Sequence, residues 1–276
     1  MKKIISILKL FRPLNLLIAT LSYFVLLYIY DALEFKWVVF KGLITLLCLM
    51  AGGYFLNDYI DLEVDKKVHP NRALPKGYIS LNLVFILSSI FFTTSLILGI
   101  TTSYKMALLV IVSAFLLLIY NVALRRYHII GNIEVSFLSA SVFIFASIIS
   151  SKWDKSFFII LIAFLFSLSR EMMKDIEDIR GDRKSGYRTL PIVKGVKFTF
   201  LLSRFVFIAG IFVIIASFFT REFSYRYILS SIFLVIIPST IFLIFKWKPQ
   251  SVSVISKYIK AEMIAFILVL FIEGLK

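Results

Sequence analysis

An all-α, polytopic membrane bundle is what this 276-residue chain spells out, and three observations carry that reading. Residues of the hydrophobic set make up 60% and charged residues only 17%, with a mean hydropathy of +0.94. A soluble domain of this size carries about a quarter charged residues. Apolar residues gather into runs close to the roughly 20 residues that a helix needs to cross a bilayer. Basic residues, finally, fall unevenly on the loops between those runs. Disorder, a disulfide scaffold and an ordinary soluble enzyme are excluded. The single cysteine, Cys48, lies inside an apolar run and offers neither an intrachain disulfide nor a thiolate cluster.

Nine runs follow one another: Leu14 to Tyr30, Trp37 to Leu56, Ile79 to Ile100, Tyr104 to Val122, Ile133 to Ser150, Phe157 to Ser169, Phe198 to Thr220, Tyr227 to Phe245 and Ile259 to Ile272. Irregular backbone cannot face lipid, so each is expected to be a transmembrane helix. The sixth run is short, and its helix is expected to continue past Ser169 into charged sequence. Ahead of the first run, Lys2 to Phe11 reads as a short interfacial amphipathic helix, interrupted by Arg12-Pro13. Residues 1–276 are read as a single integral-membrane domain.

With nine crossings, 22 basic residues fall on the N-terminal side of the membrane and eight on the other, with Arg204 inside a run. The positive-inside rule then puts the N-terminus and the more basic loops in the cytoplasm of a multi-pass cell-membrane protein, and the C-terminus outside. This pattern absorbs most of the net charge of +15, so no nucleic-acid partner is expected.

Two cytoplasmic loops repeat a pattern that membrane insertion does not require. The first reads Asn57-Asp58-x-x-Asp61-x-Glu63-x-Asp65-Lys66-Lys67, followed by Asn71-Arg72-x-Leu74-Pro75. The second reads Lys174-Asp175-x-Glu177-Asp178-x-x-x-Asp182-Arg183-Lys184, followed by Arg188-x-Leu190-Pro191. Both contain D-x-x-D-x-x-x-D, two basic residues and R-x-L-P, although the second spacer is one residue shorter. An internal repeat of this kind suggests two related halves with the active centre between them. Eight of the 16 acidic residues sit in these segments and a ninth, Glu171, lies just ahead of the second.

Aspartates at i, i+3 and i+7 share a helix face. Six carboxylates on two such faces repel one another unless a cation sits among them, and Mg²⁺ suits hard oxygen ligands completed by water and substrate phosphate. Asp58, Asp61, Asp65, Asp175, Asp178 and Asp182 are the candidate ligands. Arg72, Lys174 and Arg188 are the first candidates for phosphate oxygens. Lys66, Lys67, Arg183 and Lys184 read instead as headgroup anchors. The bland alternatives are a solvated helix end for the acids and topology alone for the bases. Duplication of the whole segment argues for a metal or diphosphate site.

These residues resemble the UbiA superfamily of intramembrane prenyltransferases, in a likeness covering nearly the whole chain. Arg12-Pro13-x-Asn15, Asn71-Arg72-x-Leu74-Pro75-x-Gly77, and Tyr120 followed by Arg125-Arg126 and Gly131-Asn132 add to the two aspartate motifs. The second motif, from Arg170-Glu171 to Asp182, looks most like the archaeal branch that forms the second ether bond of membrane lipids. The resemblance implies a bundle with a cytoplasmic polar cap and a central cavity open to lipid. It also implies Mg²⁺ on both motifs, with Asn57 matching the first, and ionisation of an allylic diphosphate. Geranylgeranyl transfer to the free hydroxyl of geranylgeranylglyceryl phosphate is the implied reaction, within a membrane of lipid neighbours.

Asp58, Asp61, Asp175 and Asp178 are expected to carry ionisation, and the ring of Tyr120 to face the developing cation, ahead of Tyr54 and Phe55. The acceptor phosphate needs a second basic site, for which Arg12 and either Arg125 or Arg126 are candidates. Asn15 joins the substrate-binding set. His69 and His128 are loop residues without a place as general base. Two alternatives stay open: an aromatic acceptor, as in quinone synthesis, and a cation-coupled transporter. A CDP-alcohol phosphotransferase lacks support because no D-G-x-x-A-R string occurs. Oligomeric state is left open.

Overall fold

A computed structural model describes residues 2–33, 36–122, 128–184, 186–244 and 252–275. In chain order the helices are α1 (Lys2–Leu8), α2 (Pro13–Ile29), α3 (Trp37–Ile60), α4 (Leu62–Val68), α5 (Leu81–Thr102) and α6 (Tyr104–Val122). They continue as α7 (His128–Ser150), α8 (Ser156–Lys184), α9 (Leu190–Val193), α10 (Val196–Ser217), α11 (Tyr225–Ser231), α12 (Ile237–Ile244) and α13 (Val252–Gly274). All nine apolar runs are helical over their described residues, apart from Tyr30 at the end of the first and Ile79-Ser80 at the start of the third. Among the described residues, six helical stretches are long and apolar enough to span a bilayer. Tyr104–Tyr120 and Tyr225–Thr240 are shorter, and α13 is interrupted by Lys257, Lys260, Glu262 and Glu273. Length and composition alone therefore single out six of the nine expected crossings.

Local chemistry explains the boundaries. The residue before a proline is pushed out of the right-handed helical region, and Arg12 takes a left-handed conformation (φ 49°, ψ 58°) that separates the 3₁₀ turn Lys9–Phe11 from α2. Pro13 then opens α2 at its first position, where no N–H is needed. Ser80 caps α5 by accepting from Leu83 N at 3.3 Å. Pro238 cannot supply the next helical hydrogen bond, and a π turn over Ile232–Ile236 joins α11 to α12.

The chain divides into two compact units. One comprises 1–23 and 34–124, the other 24–33 and 125–276. In the first, α3 packs on α5 and α6. Gly52 lies under the Phe92 ring and Gly53 against Leu117, so close that an added methyl would meet those side chains at 3.1 and 3.0 Å. Small residues of this kind let membrane helices approach closely. Ser88 and Ser95 of α5 donate to the carbonyls of Gly52 and Thr45 at 2.9 and 2.8 Å. Below the glycines, Leu10, Phe55, Ala73, Leu74, Ile79 and Val84 form a core that ties the N-terminal turn and the loop after α4 to α3.

In the second unit α8 is the centre, packed by α7, α10 and α13. Phe166 stacks on Phe207 with centroids 4.9 Å apart, and Gly210 leaves room for the Phe166 ring. Ser169 and Ser203 are hydrogen-bonded at 2.9 Å. At the opposite end of α8 from its aspartates, Glu273 takes Lys155 at 2.5 Å and both the backbone N–H and hydroxyl of Ser224. That network fixes the start of α8.

Candidate active site

The first aspartate segment begins on α3, turns at Asp61 (φ −81°, ψ −1°) and continues as α4. Asp61 N donates to the Asn57 carbonyl and Asp65 N to that of Asp61, at 2.9 and 2.8 Å. The i→i+4 pattern thus carries through the turn. Asp58, Asp61 and Asp65 are only 6%, 3% and 5% exposed. Burying a carboxylate without a partner is costly, and each has one. Arg12 Nη2 lies 3.4 Å from Asp58 Oδ1, with its guanidinium 4.6 Å above the centre of the Tyr54 ring. Asn15 lies near the Tyr54 hydroxyl. Asn57 donates to Asp61 at 2.9 Å. Arg72 Nη1 donates to both oxygens of Asp65 at 2.9 and 2.7 Å.

The second segment lies on the uninterrupted last turns of α8, as its sequence suggests. Asp175 and Asp182 are half-buried and Asp178 is exposed. Asn132, near the start of α7, donates to Asp175 Oδ2 at 2.9 Å, and Thr189 donates to Asp182 at 3.3 Å. Arg170 pairs with Glu171 at 2.6 Å, and Lys174 Nζ stands 3.8 Å from the same carboxylate. Lys174 and Arg188 are exposed. Tyr120 is half-buried near the end of α6. Arg125 and Arg126 lie outside the described residues.

Three features were not read from the sequence. Leu74 and Leu190 of the R-x-L-P strings are buried, so the string anchors the loop as well as offering a cation. Asn132 and Thr189 are the partners of second-segment aspartates; only the Gly131-Asn132 pair had a signal in sequence. A cleft of about 470 Å³ also opens in the first unit, with Lys9, Arg12, Asp58, His69, Asn71 and Arg72 in its wall. Lys66, expected as a headgroup anchor, is exposed and pairs with Glu63 at 2.7 Å.

A divalent ion fits the donor set. Among the described residues no three acidic, histidine or cysteine side chains gather closely enough to hold an ion by themselves. Magnesium usually takes one or two carboxylates and fills its shell with water and phosphate, and the buried aspartates supply hard oxygens for that. The cations now on Asp58 and Asp65 neutralise charge that such an ion would neutralise when present.

The model of the UbiA prenyltransferase family matches residues 12–270. The chain belongs to that family. UbiA membership makes it a multi-pass membrane prenyltransferase, in agreement with its apolar helices. Digeranylgeranylglyceryl phosphate synthase of Methanosphaera stadtmanae is 34% identical over 265 residues, spanning 93% of this chain and 94% of that protein. The synthase of the same name from Methanothermobacter thermautotrophicus is 31% identical over 206 residues, 75% of this chain and 70% of that one. A solved structure concerning digeranylgeranylglyceryl phosphate synthase in membranes shares the fold, with a TM-score of 0.83, 23% identity and 99% of both chains covered. A UbiA homolog from Archaeoglobus fulgidus, solved bound to GPP and Mg²⁺, gives a TM-score of 0.68 at 18% identity, covering 96% and 99% of the two chains.

Proposed function

We propose that this UbiA-family protein transfers a geranylgeranyl group from geranylgeranyl diphosphate to the free hydroxyl of geranylgeranylglyceryl phosphate, forming the second ether bond of archaeal membrane lipids. The observation that carries this reading is the end-to-end likeness to the Methanosphaera synthase, 34% identical across 93% of the chain. Membership in a prenyltransferase family removes the transporter alternative. The 22-to-eight distribution of basic residues supports a cytoplasmic N-terminus and cytoplasmic aspartate segments in the cell membrane.

Asp58, Asp61, Asp65, Asp175, Asp178 and Asp182 would hold Mg²⁺. When bound, the metal supplies charge neutralisation to the departing diphosphate. Arg72, Lys174 and Arg188 orient phosphate oxygens by charge-assisted hydrogen bonds. The allylic C–O bond breaks with both electrons leaving on diphosphate, and the Tyr120 ring faces the cation that develops. The acceptor oxygen forms the new C–O bond and loses its proton to a motif aspartate or to the released diphosphate. Asn57 holds the Asp61 carboxylate, Arg12 lies over the Tyr54 ring, and Asn15 joins them in binding substrate.

Purified protein in nanodiscs, given labelled geranylgeranyl diphosphate, tests the reading. Diphosphate release is expected with geranylgeranylglyceryl phosphate and Mg²⁺, and not with aromatic acids as acceptors. Preference for an aromatic acceptor would replace this reading with quinone-type chemistry.

A further inference from the structure

Two cations in the cleft of the first unit, Arg12 and Arg72, answer motif aspartates, but Lys9 and His69 beside them do not. The cleft wall carries Lys9, Arg12, His69, Asn71 and Arg72 against a single carboxylate, Asp58. Asp61 and Asp65 do not line it; Asn57 and Arg72 engage them. A metal-bound diphosphate sits on carboxylates, whereas a metal-free phosphate needs cations and N–H donors. Arg72 gives Nη1 to both oxygens of Asp65 and its other N–H groups to the donor diphosphate, so Lys9 and His69 are the basic side chains of the wall that neither task uses. The left-handed turn at Arg12 sets that guanidinium above Tyr54 and at the edge of Asp58. Lys9, in the turn just before it, and His69, just after α4, come from outside the family's repeated pattern.

We propose that this cleft is the seat of the acceptor's phosphomonoester, with Lys9 and His69 as the residues that select a phosphate-bearing glycerol lipid. The proposal rests on the function proposed above and assigns its acceptor a place. A phosphomonoester carries about −1.5 to −2 charges near neutral pH, which the cleft's bases match. In a glyceryl phosphate the free hydroxyl stands four bonds from phosphorus, a reach of about 5 Å at most. Phosphate seated on Lys9, His69 and Asn71 therefore keeps the nucleophile within the cleft that Asp58 borders. An aromatic acid offers these groups one carboxylate charge and two oxygens against a phosphomonoester's nearly two charges and three oxygens, so the cleft favours the phosphate.

The test uses Lys9→Gln and His69→Gln in the full-length protein in nanodiscs. Each loses one charge-assisted contact, so the KM for geranylgeranylglyceryl phosphate is expected to rise roughly tenfold or more. The KM for the prenyl diphosphate and kcat at saturating acceptor should hold. A parallel binding measurement compares an ether lysolipid phosphate with its phosphate-free alkylglycerol. Wild type should favour the phosphate form and Lys9→Gln should lose most of that preference. A rise in the KM for the diphosphate donor instead, or an unchanged preference in both variants, overturns the assignment of the cleft. If wild type turns over no glyceryl phosphate acceptor at all, the proposed reaction itself fails. The binding arm separates that outcome from a misassigned cleft.

Discussion

The two aspartate segments follow one partnering plan with different chemistry. In each, the first aspartate is held by a residue at or near the start of an earlier helix: Arg12 for Asp58, 46 residues away, and Asn132 for Asp175, 43 away. In each, the third aspartate is held by the residue seven positions on, Arg72 for Asp65 and Thr189 for Asp182. The spacer before R-x-L-P is one residue shorter in the second segment, which moves the arginine from position seven to six. Thr189 inherits the hydrogen bond, and Arg188 is exposed. One half therefore neutralises buried carboxylates with guanidinium groups, and the other meets more exposed ones with an amide and a hydroxyl. A single deleted residue is enough to exchange a salt bridge for a neutral hydrogen bond and release an arginine for ligand.

If both halves hold metal and diphosphate despite this difference, Asp58→Asn and Asp175→Asn should each lower turnover by roughly two to three orders of magnitude. Diphosphate release and a magnesium titration measure the loss, with folding checked by size exclusion and melting. Near-normal turnover in either variant would confine the metal role to one segment.

Packing beneath the segments differs too. A methyl added at Gly210 would lie 2.6 Å from the Phe166 ring, against 3.1 Å from Phe92 at Gly52. Gly210→Ala should cost about 1–3 kcal/mol and Gly52→Ala less, as read by thermal melting in detergent. Equal melting shifts would show that both rings yield alike.

Arg72→Ala leaves the buried Asp65 carboxylate without its cation. The Arg72 side chain is 44% exposed and solvent screens the pair, so roughly 1 kcal/mol of stability should go, whereas Arg188→Ala should leave melting unchanged. Both should slow turnover through phosphate contacts. The smallest measurable loss of stability belongs to Thr189→Val. It removes one neutral hydrogen bond to Asp182 and should cost about 0.5–1 kcal/mol. A loss as large as that of Arg72→Ala would mean that the hydroxyl carries as much as the guanidinium.

Helix positions and the extension of α8 beyond Ser169 were legible in the sequence, and so was the place of Asp58 and Asp175 towards the ends of α3 and α8. Asp61 shows the limit of that reading. Spacing implied one continuous helix, but the chain turns there and α4 starts afresh, with the i→i+4 bonds maintained around it. His69 had been set aside as a loop residue; it is exposed, as expected, but it stands in the wall of a cationic cleft.

What the chain's residues determined by themselves were properties that repeat locally: apolar length, charge by side, and aspartates at helical spacing. Those follow from the 3.6-residue period and from the cost of placing charge in lipid, which act within a few turns. Only the tertiary structure decided which group answers each carboxylate and where Lys9 and His69 come together with Arg72. Such choices join residues tens of positions apart, through close helix packing at Gly52 and Gly53 and the buried leucine of R-x-L-P. No local pattern encodes them.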